Sequence, residues 1–179
     1  MALQKLDDSL TCNLGLQPHS PMLIRNFHPG DEPALRAVFY SSVHDLARHH
    51  YTAEQLDVWA PCQYDAAQWG ERVRGNRPFI AEVDGCIAGF ADLQDSGYVD
   101  HFFVAGAFAG RGVGRALMAH LHQSAAAQGI GCLFADVSLS AEPFFQKWGF
   151  GVDARQQVER AGVVLANARM SKLLAAICS

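Results

Sequence analysis

Phe102-Phe103-Val104-Ala105-Gly106-Ala107-Phe108-Ala109-Gly110-Arg111-Gly112-Val113-Gly114-Arg115-Ala116-Leu117 is the stretch on which the reading of this chain turns. An apolar strand runs into a turn with glycines at alternate positions, Gly110, Gly112 and Gly114, and a helix starts there. Val113, Leu117, Leu121 and Ala125 then advance in steps of four, which draws one apolar stripe along a helix that ends at Gly129. The first N–H groups of a helix have no intrahelical partner, and the helix dipole adds positive potential at that end. Glycines let the main chain approach a ligand closely, so the turn suits a phosphate or pyrophosphate. Arg111 and Arg115 add donors.

Three phosphate patterns compete for this turn. A Walker loop needs GxxxxGK[ST], and no Lys-Ser or Lys-Thr follows Gly110. A dinucleotide fingerprint needs GxGxxG, but Arg115 stands where the third glycine should be, and the turn follows the fourth strand instead of the first. The shorter pattern [QR]xxGx[GA] fits Ala109-Gly110-Arg111-Gly112-Val113-Gly114, with Ala109 in place of the opening glutamine or arginine. Main-chain amides do most of the work in such a turn, so that departure costs little.

Upstream, Met22 to Phe27 reads as a first strand, and Asp31 caps a helix whose apolar face is Leu35, Val38, Phe39, Val43 and Leu46. Thr52 and Gln55 have capping-box spacing for a second helix to Trp59, and Tyr64 to Val73 is a third, weaker helical stretch. Phe79 to Val83 and Cys86 to Leu93 form a hairpin about Asp84-Gly85, and Ser96-Gly97 turns the chain into Tyr98 to Val104, so an antiparallel meander is expected. Downstream come a strand at Leu133 to Val137, a short helix from Ala141 to Trp148, and a last hairpin about Ala161-Gly162. The order β-α-α-β-β-β-α-β-α-β-β contains one strand–helix–strand crossover, which requires a parallel pair in an otherwise antiparallel sheet. The fold class is α/β, with a mixed, mostly antiparallel central sheet. Residues 1–20 lack lasting periodicity and read as a flexible extension before a domain at 21–174.

The chain has 179 residues, enough for one domain whose core needs no disulfide or metal. Fourteen basic against 18 acidic residues leave a net charge of −4, which argues against nucleic acid as a partner. Cys12, Cys62, Cys86, Cys132 and Cys178 are scattered, with no CxxC pair, and read as reduced thiols in a cytoplasmic protein. No apolar run approaches membrane-spanning length, so no membrane association is expected. The histidine pairs His49/His50 and His120/His122 diverge around a helix, so no metal is expected.

The glycine turn, together with Pro143-Phe144-Phe145-Gln146-Lys147-Trp148-Gly149-Phe150 downstream, is similar to the two signatures of the GNAT superfamily of N-acetyltransferases. The resemblance covers Met22 to about Leu173, and Tyr51 to Pro61 resembles a segment of its YafP-like members. It implies the acyl-CoA N-acyltransferase fold, with acetyl-CoA as co-substrate lying between two splayed strands. Phe103, Val104 and Ala105 would then offer main-chain groups to the pantetheine arm, and Arg111, Gly112, Val113, Gly114 and Arg115 would cradle the pyrophosphate. Ser138 and Ser140 would lie beside the thioester arm.

Direct aminolysis of a thioester needs a place for the amine proton and a proton for the leaving thiolate. Strand alternation sets Tyr98, Asp100 and Phe102 on one face and Val99, His101 and Phe103 on the other. The family commonly carries a base at positions matching Tyr98 or Asp100, whereas an imidazole is intrinsically the better base, and a bulge would turn His101 inward. Both candidates stay open. The resemblance puts the frequent tyrosine acid at Phe145, which has no proton to give; Tyr98, another hydroxyl or water would replace it. Tyr40, His44, His49, His50, Tyr51 and Trp59 are candidates for the acceptor pocket. The implied activity is transfer of acetyl from acetyl-CoA to a primary amine, a small molecule or peptide, in a ternary complex. The alternative is a non-catalytic acyl-CoA sensor or scaffold on the same fold. A homodimer through an edge strand or the last hairpin is the partner that relatives suggest.

Overall fold

The computed structural model describes residues 22–174; the extension expected at 1–20 lies outside the described residues. In chain order the elements are β1 (Leu23–Asn26), α1 (Glu32–Ser41), α2 (Ala53–Trp59), α3 (Ala66–Asn76), β2 (Phe79–Val83), β3 (Cys86–Ala91), β4 (Tyr98–Val99), β5 (Phe102–Val104), α4 (Val113–Ala127), β6 (Cys132–Ser138), α5 (Glu142–Lys147), β7 (Gly151–Arg160) and β8 (Val163–Leu173). A π-helical turn, Ser42–Leu46, prolongs α1.

Tyr98 to Val104, expected as one strand, serves two sheets. β5 closes an antiparallel sheet of order β1-β2-β3-β5, whereas β4 opens a second sheet of order β4-β6-β8-β7. The expected meander therefore holds for β2, β3 and β5. It fails at β4, which pairs parallel with β6 across the α4 crossover. Main-chain pairing thins out here: Asp92 N–H still reaches the His101 carbonyl (3.1 Å) and Gln94 N–H the Tyr98 carbonyl (2.9 Å). The Asp92 side chain, wholly buried just past β3, accepts hydrogen bonds from the main-chain N–H groups of Asp100 (2.9 Å) and His101 (3.1 Å). A carboxylate thus takes two N–H groups that a regular ladder would give to carbonyls, and strict alternation ends at Asp100–His101.

The predicted stripe of α4 is buried as Val113, Leu117, Leu121 and Ala125, joined by Met118. It lies tight on β3, because a Cβ at Gly89 would stand 2.9 Å from Val113 Cγ1 and 2.8 Å from the Phe103 carbonyl. Each Leu or Met buried there contributes on the order of 2 kcal/mol. Phe145 and Phe150 complete this core, and Leu35, Val38, Ile80 and Phe90 form a second one under α1. The capping box at Thr52 is formed in both directions. The weak third stretch is a full helix capped by Asp65, and it runs on to Asn76.

Among the described residues Cys62 and Cys132 are free. Among the described residues no helix is long and apolar enough to cross a membrane.

Candidate active site

Gly112 caps α4 at φ +86°, a left-handed conformation that side-chain-bearing residues rarely adopt, and no side chain caps the helix. The first intrahelical bond comes from Ala116 N–H to the Gly112 carbonyl (3.0 Å). The amides of Val113, Gly114 and Arg115 precede it and carry no intrahelical partner. They border a cleft of about 380 Å³ whose other wall holds Ser138, Ser140 and Phe144. Arg115 borders this cleft. Arg111 does not: its guanidinium lies 4.9 Å over the Phe108 ring and 3.4 Å from Asp84.

The cleft exists because β4 stays with β6 only over Tyr98–Phe134 and Val99–Ala135, after which β5 leaves with β3. Along β5, Phe103 is in register with Phe90, and Ala105 donates its N–H to the Ala88 carbonyl (2.9 Å). The groups of Ala105 and Phe103 thus serve the sheet, and alternation turns the N–H and carbonyl of Val104 toward the gap. Ser138 Oγ and Ser140 Oγ lie 3.0 Å apart on the facing wall.

A second cavity, about 560 Å³, meets this cleft at Trp59, Phe103 and Ser138, which border both. Tyr98, Asp100 and His101 all line it, although alternation would have divided them between two faces. His101, 4% exposed, donates Nδ1–H to Asp92 Oδ2 at 2.7 Å. That bond sets the tautomer and leaves Nε2 as the basic nitrogen, 3.7 Å from Asp100 Oδ2. Asn76 has two N–H bonds to give, and carboxylates stand within reach of both, Asp92 Oδ2 (3.0 Å) and Asp100 Oδ2 (2.7 Å). Asp100 is also gripped by Arg72, with contacts of 2.8 to 3.1 Å. Burial pushes its pKa up, but the charge of His101 and the bonds from Arg72 and Asn76 outweigh that and hold it below the usual carboxylate value. Asp100 is therefore an anchored anion. The ligating atoms of Asp92, Asp100 and His101 lie within 4.8 Å of one another, the group among the described residues with the spacing to hold a cation.

Tyr98 donates its hydroxyl proton to Asp136 Oδ2 (3.2 Å). Burial, then the charges of Asp136 and Asp100, push its pKa up to about 12, so it stays protonated near neutrality. Phe145 is 2% exposed and sits edge-on to Phe102 (5.4 Å) and Phe150 (5.1 Å), in the core. Of the early-helix candidates, Tyr51 and Trp59 line the second cavity; His49 and His50 are exposed. His44 contacts the Ala60 carbonyl (2.9 Å), with Tyr40 stacked on its ring (4.1 Å). The Tyr51 hydroxyl ties β8 to β6, donating to the Ala166 carbonyl and accepting from Leu139 N–H. Sequence reasoning missed Asp92, Asn76 and Arg72. An acid closing the apolar run Ile87 to Ala91 was the available signal for Asp92. Asn76 and Arg72 sit on a helix whose sequence says nothing about what it faces.

The family described as "Acetyltransferase (GNAT) domain" matches residues 47–173. The chain is 33% identical over 144 residues to the uncharacterized N-acetyltransferase YafP of Escherichia coli K12, covering 80% of this chain and 91% of that one. A solved GCN5-related N-acetyltransferase from Rhodopseudomonas palustris superposes with a TM-score of 0.82 at 33% identity, over 89% of this chain and all of that one. The structure of yncA, a putative acetyltransferase from Salmonella typhimurium with its cofactor acetyl-CoA, shares the fold at a TM-score of 0.64 and 22% identity, over 89% and 98% of the two chains.

Proposed function

This chain belongs to the GNAT acetyltransferase family, and from that premise we propose that it transfers an acetyl group from acetyl-CoA to a primary amine seated in the larger cavity. The enzyme class is that of the acetyl-CoA-dependent acyltransferases. The observation that carries the reading is the junction. A cleft edged with unpartnered helix amides opens, at Phe103 and Ser138, into a cavity walled by an oriented imidazole.

Acetyl-CoA supplies an activated thioester carbonyl. The amides of Val113, Gly114 and Arg115 hold its pyrophosphate, with Arg115 as the side-chain donor. Val104 offers the pantetheine arm the main-chain groups that β3 does not take. An arm held by main-chain groups is positioned without mobile side chains, which lowers the entropic barrier to transfer. Attack by the amine forms the C–N bond and breaks the C–S bond, and His101 Nε2 receives the amine proton. Asp92 holds the imidazole in the tautomer that makes this possible, as carboxylates do for catalytic histidines elsewhere. Asp100, kept ionised, attracts the incoming ammonium group and offsets the imidazolium charge that follows. The departing thiolate needs little help: the Ser138 hydroxyl at the junction can donate a hydrogen bond to it, and solvent supplies its proton. The acceptor is a small-molecule amine or a peptide amine.

Release of free thiol from acetyl-CoA, followed across an amine panel, tests the reading. Turnover with at least one primary amine supports it. Cofactor binding without thiol release from any acceptor would replace it with the acyl-CoA sensor, the reading that phenylalanine at position 145 favours.

A further inference from the structure

Arg36 stands in the middle of α1 and is 5% exposed, yet among the described residues no carboxylate lies within ion-pair distance of it. Other arginines of this chain that are partly covered are paired: Arg25 with Asp31 at 2.8 Å, Arg169 with Asp136 at 2.6 Å. Arg36 Nη2 donates to the Pro61 carbonyl, while Nη1 is buried with no hydrogen-bond partner. Aromatic rings surround the guanidinium, Tyr64 at 4.5 Å, Phe39 at 5.1 Å and Trp69 at 5.9 Å from their centroids. Burial lowers its pKa and outweighs the opposing influence of Tyr64, Cys62 and Tyr40. A buried cation with an idle donor is costly unless something pairs with it. Arg36 borders the same cavity as Asp100 and His101. So does Asn167, whose Oδ1 is the other buried side-chain polar atom without a partner.

We propose that Arg36 is the anion subsite of the acceptor cavity, so that the acceptor is an amine bearing a carboxylate, an amino acid or a close analogue. The inference rests on the reading of this cavity as the amine site and names its substrate class. The cavity lining offers both signs a zwitterion needs: the carboxylates of Asp100 and Asp136, and Arg36 among the rings of Phe39, Tyr64 and Trp69, while Arg72 is already paired with Asp100. Arg160 also borders the cavity but is exposed, so water already meets its charge. Tyr64, 42% exposed, lies 4.5 Å over the guanidinium and is the most exposed of the rings around it. The fork of a guanidinium matches a carboxylate in two parallel hydrogen bonds.

Matched probes decide the matter: phenylalanine against phenylethylamine, leucine against isopentylamine, and alanine against ethylamine. Each is titrated calorimetrically into the full chain loaded with coenzyme A, and each is assayed for thiol release from acetyl-CoA. At least one α-amino acid is expected to bind, and to show kcat/KM, about 100-fold above its decarboxylated partner, because a buried polar group left unpaired penalises the analogue that lacks the matching one. Arg36→Gln erases that preference and leaves coenzyme A affinity unchanged, whereas Arg36→Lys keeps part of it. Should the glutamine variant not fold, the wild-type preference and the lysine variant decide the case. No pair showing a preference, or a preference that survives Arg36→Gln, overturns the subsite. Amino-acid binding that depends on Arg36 without thiol release would sink acetyl transfer and leave the subsite standing. Equal turnover of both members of every pair would do the reverse.

Discussion

The two cavities that meet at Phe103 and Ser138 are built from different materials. The cleft beside α4 is made of main chain: a left-handed Gly112, three amides without intrahelical partners, and one strand edge left open because β5 departs with β3. The larger cavity is made of side chains drawn from α1, α2, α3, β4, β5, β6, β7 and β8 and the loops between them. Main-chain groups are the same in every sequence, so a cleft of this kind recognises a cofactor shared by a whole family and is held in place by a few glycines. Side chains differ from chain to chain, and a cavity of that kind sets which acceptor enters and how its proton leaves.

Substitutions that touch one region should therefore leave the other's readout alone. The largest effect is expected at His101. Replacing it with alanine should lower kcat by about 10²- to 10⁴-fold, the usual worth of a positioned general base, with acetyl-CoA affinity unchanged by calorimetry. An equal loss of cofactor binding would mean that the two cavities are not separable. Asp92→Asn comes next, at roughly 10- to 100-fold in kcat, the range typical of removing an orienting partner. Its acidic pH–rate limb should move as well, which lowered stability alone would not produce.

On the cleft side, Gly112→Val places a branched residue at φ +86°, and left-handed backbone costs such a residue about 1–2 kcal/mol or more. Acetyl-CoA affinity should fall about 10-fold while kcat at saturation holds, because amide approach and helix capping are both disturbed. Loss of kcat at unchanged affinity would refute the assignment of that turn to the cofactor. Asp100→Asn should raise KM for the amine, because it removes the anion that meets the ammonium group, and it should also change stability at low pH. The folded protein depresses the Asp100 pKa, so the carboxylate contributes stability that is fully present above its unfolded value and is lost as pH falls through the folded one. The variant should therefore show a shallower acid decline of Tm than the wild type.

Phe145→Tyr is expected to do least to the rate, about twofold or less. The ring is closed in by Phe102, Phe144 and Phe150, and a hydroxyl buried there without a partner costs about 1–3 kcal/mol of stability instead. A large gain in kcat would show that this position does reach the departing thiolate.

The cleft was legible in the chain and the larger cavity was not, and the reason is one of range. The glycine turn, the α4 stripe and the Thr52 capping box are local patterns, in which residues a few positions apart meet because helices repeat every 3.6 residues. Tyr98, Asp100 and His101 were found by their position in a strand, but their arrangement was misjudged. Alternation holds only while a ladder persists, and the Asp92 carboxylate takes N–H groups from that ladder from eight residues away in sequence. Asn76 and Arg72 reach Asp100 from 24 and 28 residues away.

From residues alone follow the crossover and the phosphate-type turn at Gly110 to Gly114, because each is written in periodicities and backbone requirements that hold for any chain carrying them; the family was legible only through the resemblance of two short segments to its signatures. Folding in three dimensions was needed to bring Asp92 under the broken strand, to lay Asn76 and Arg72 against Asp100, and to enclose Arg36 among aromatic rings without an anion. Those contacts join segments far apart in the chain, and their energies depend on burial and distance, which no local pattern encodes.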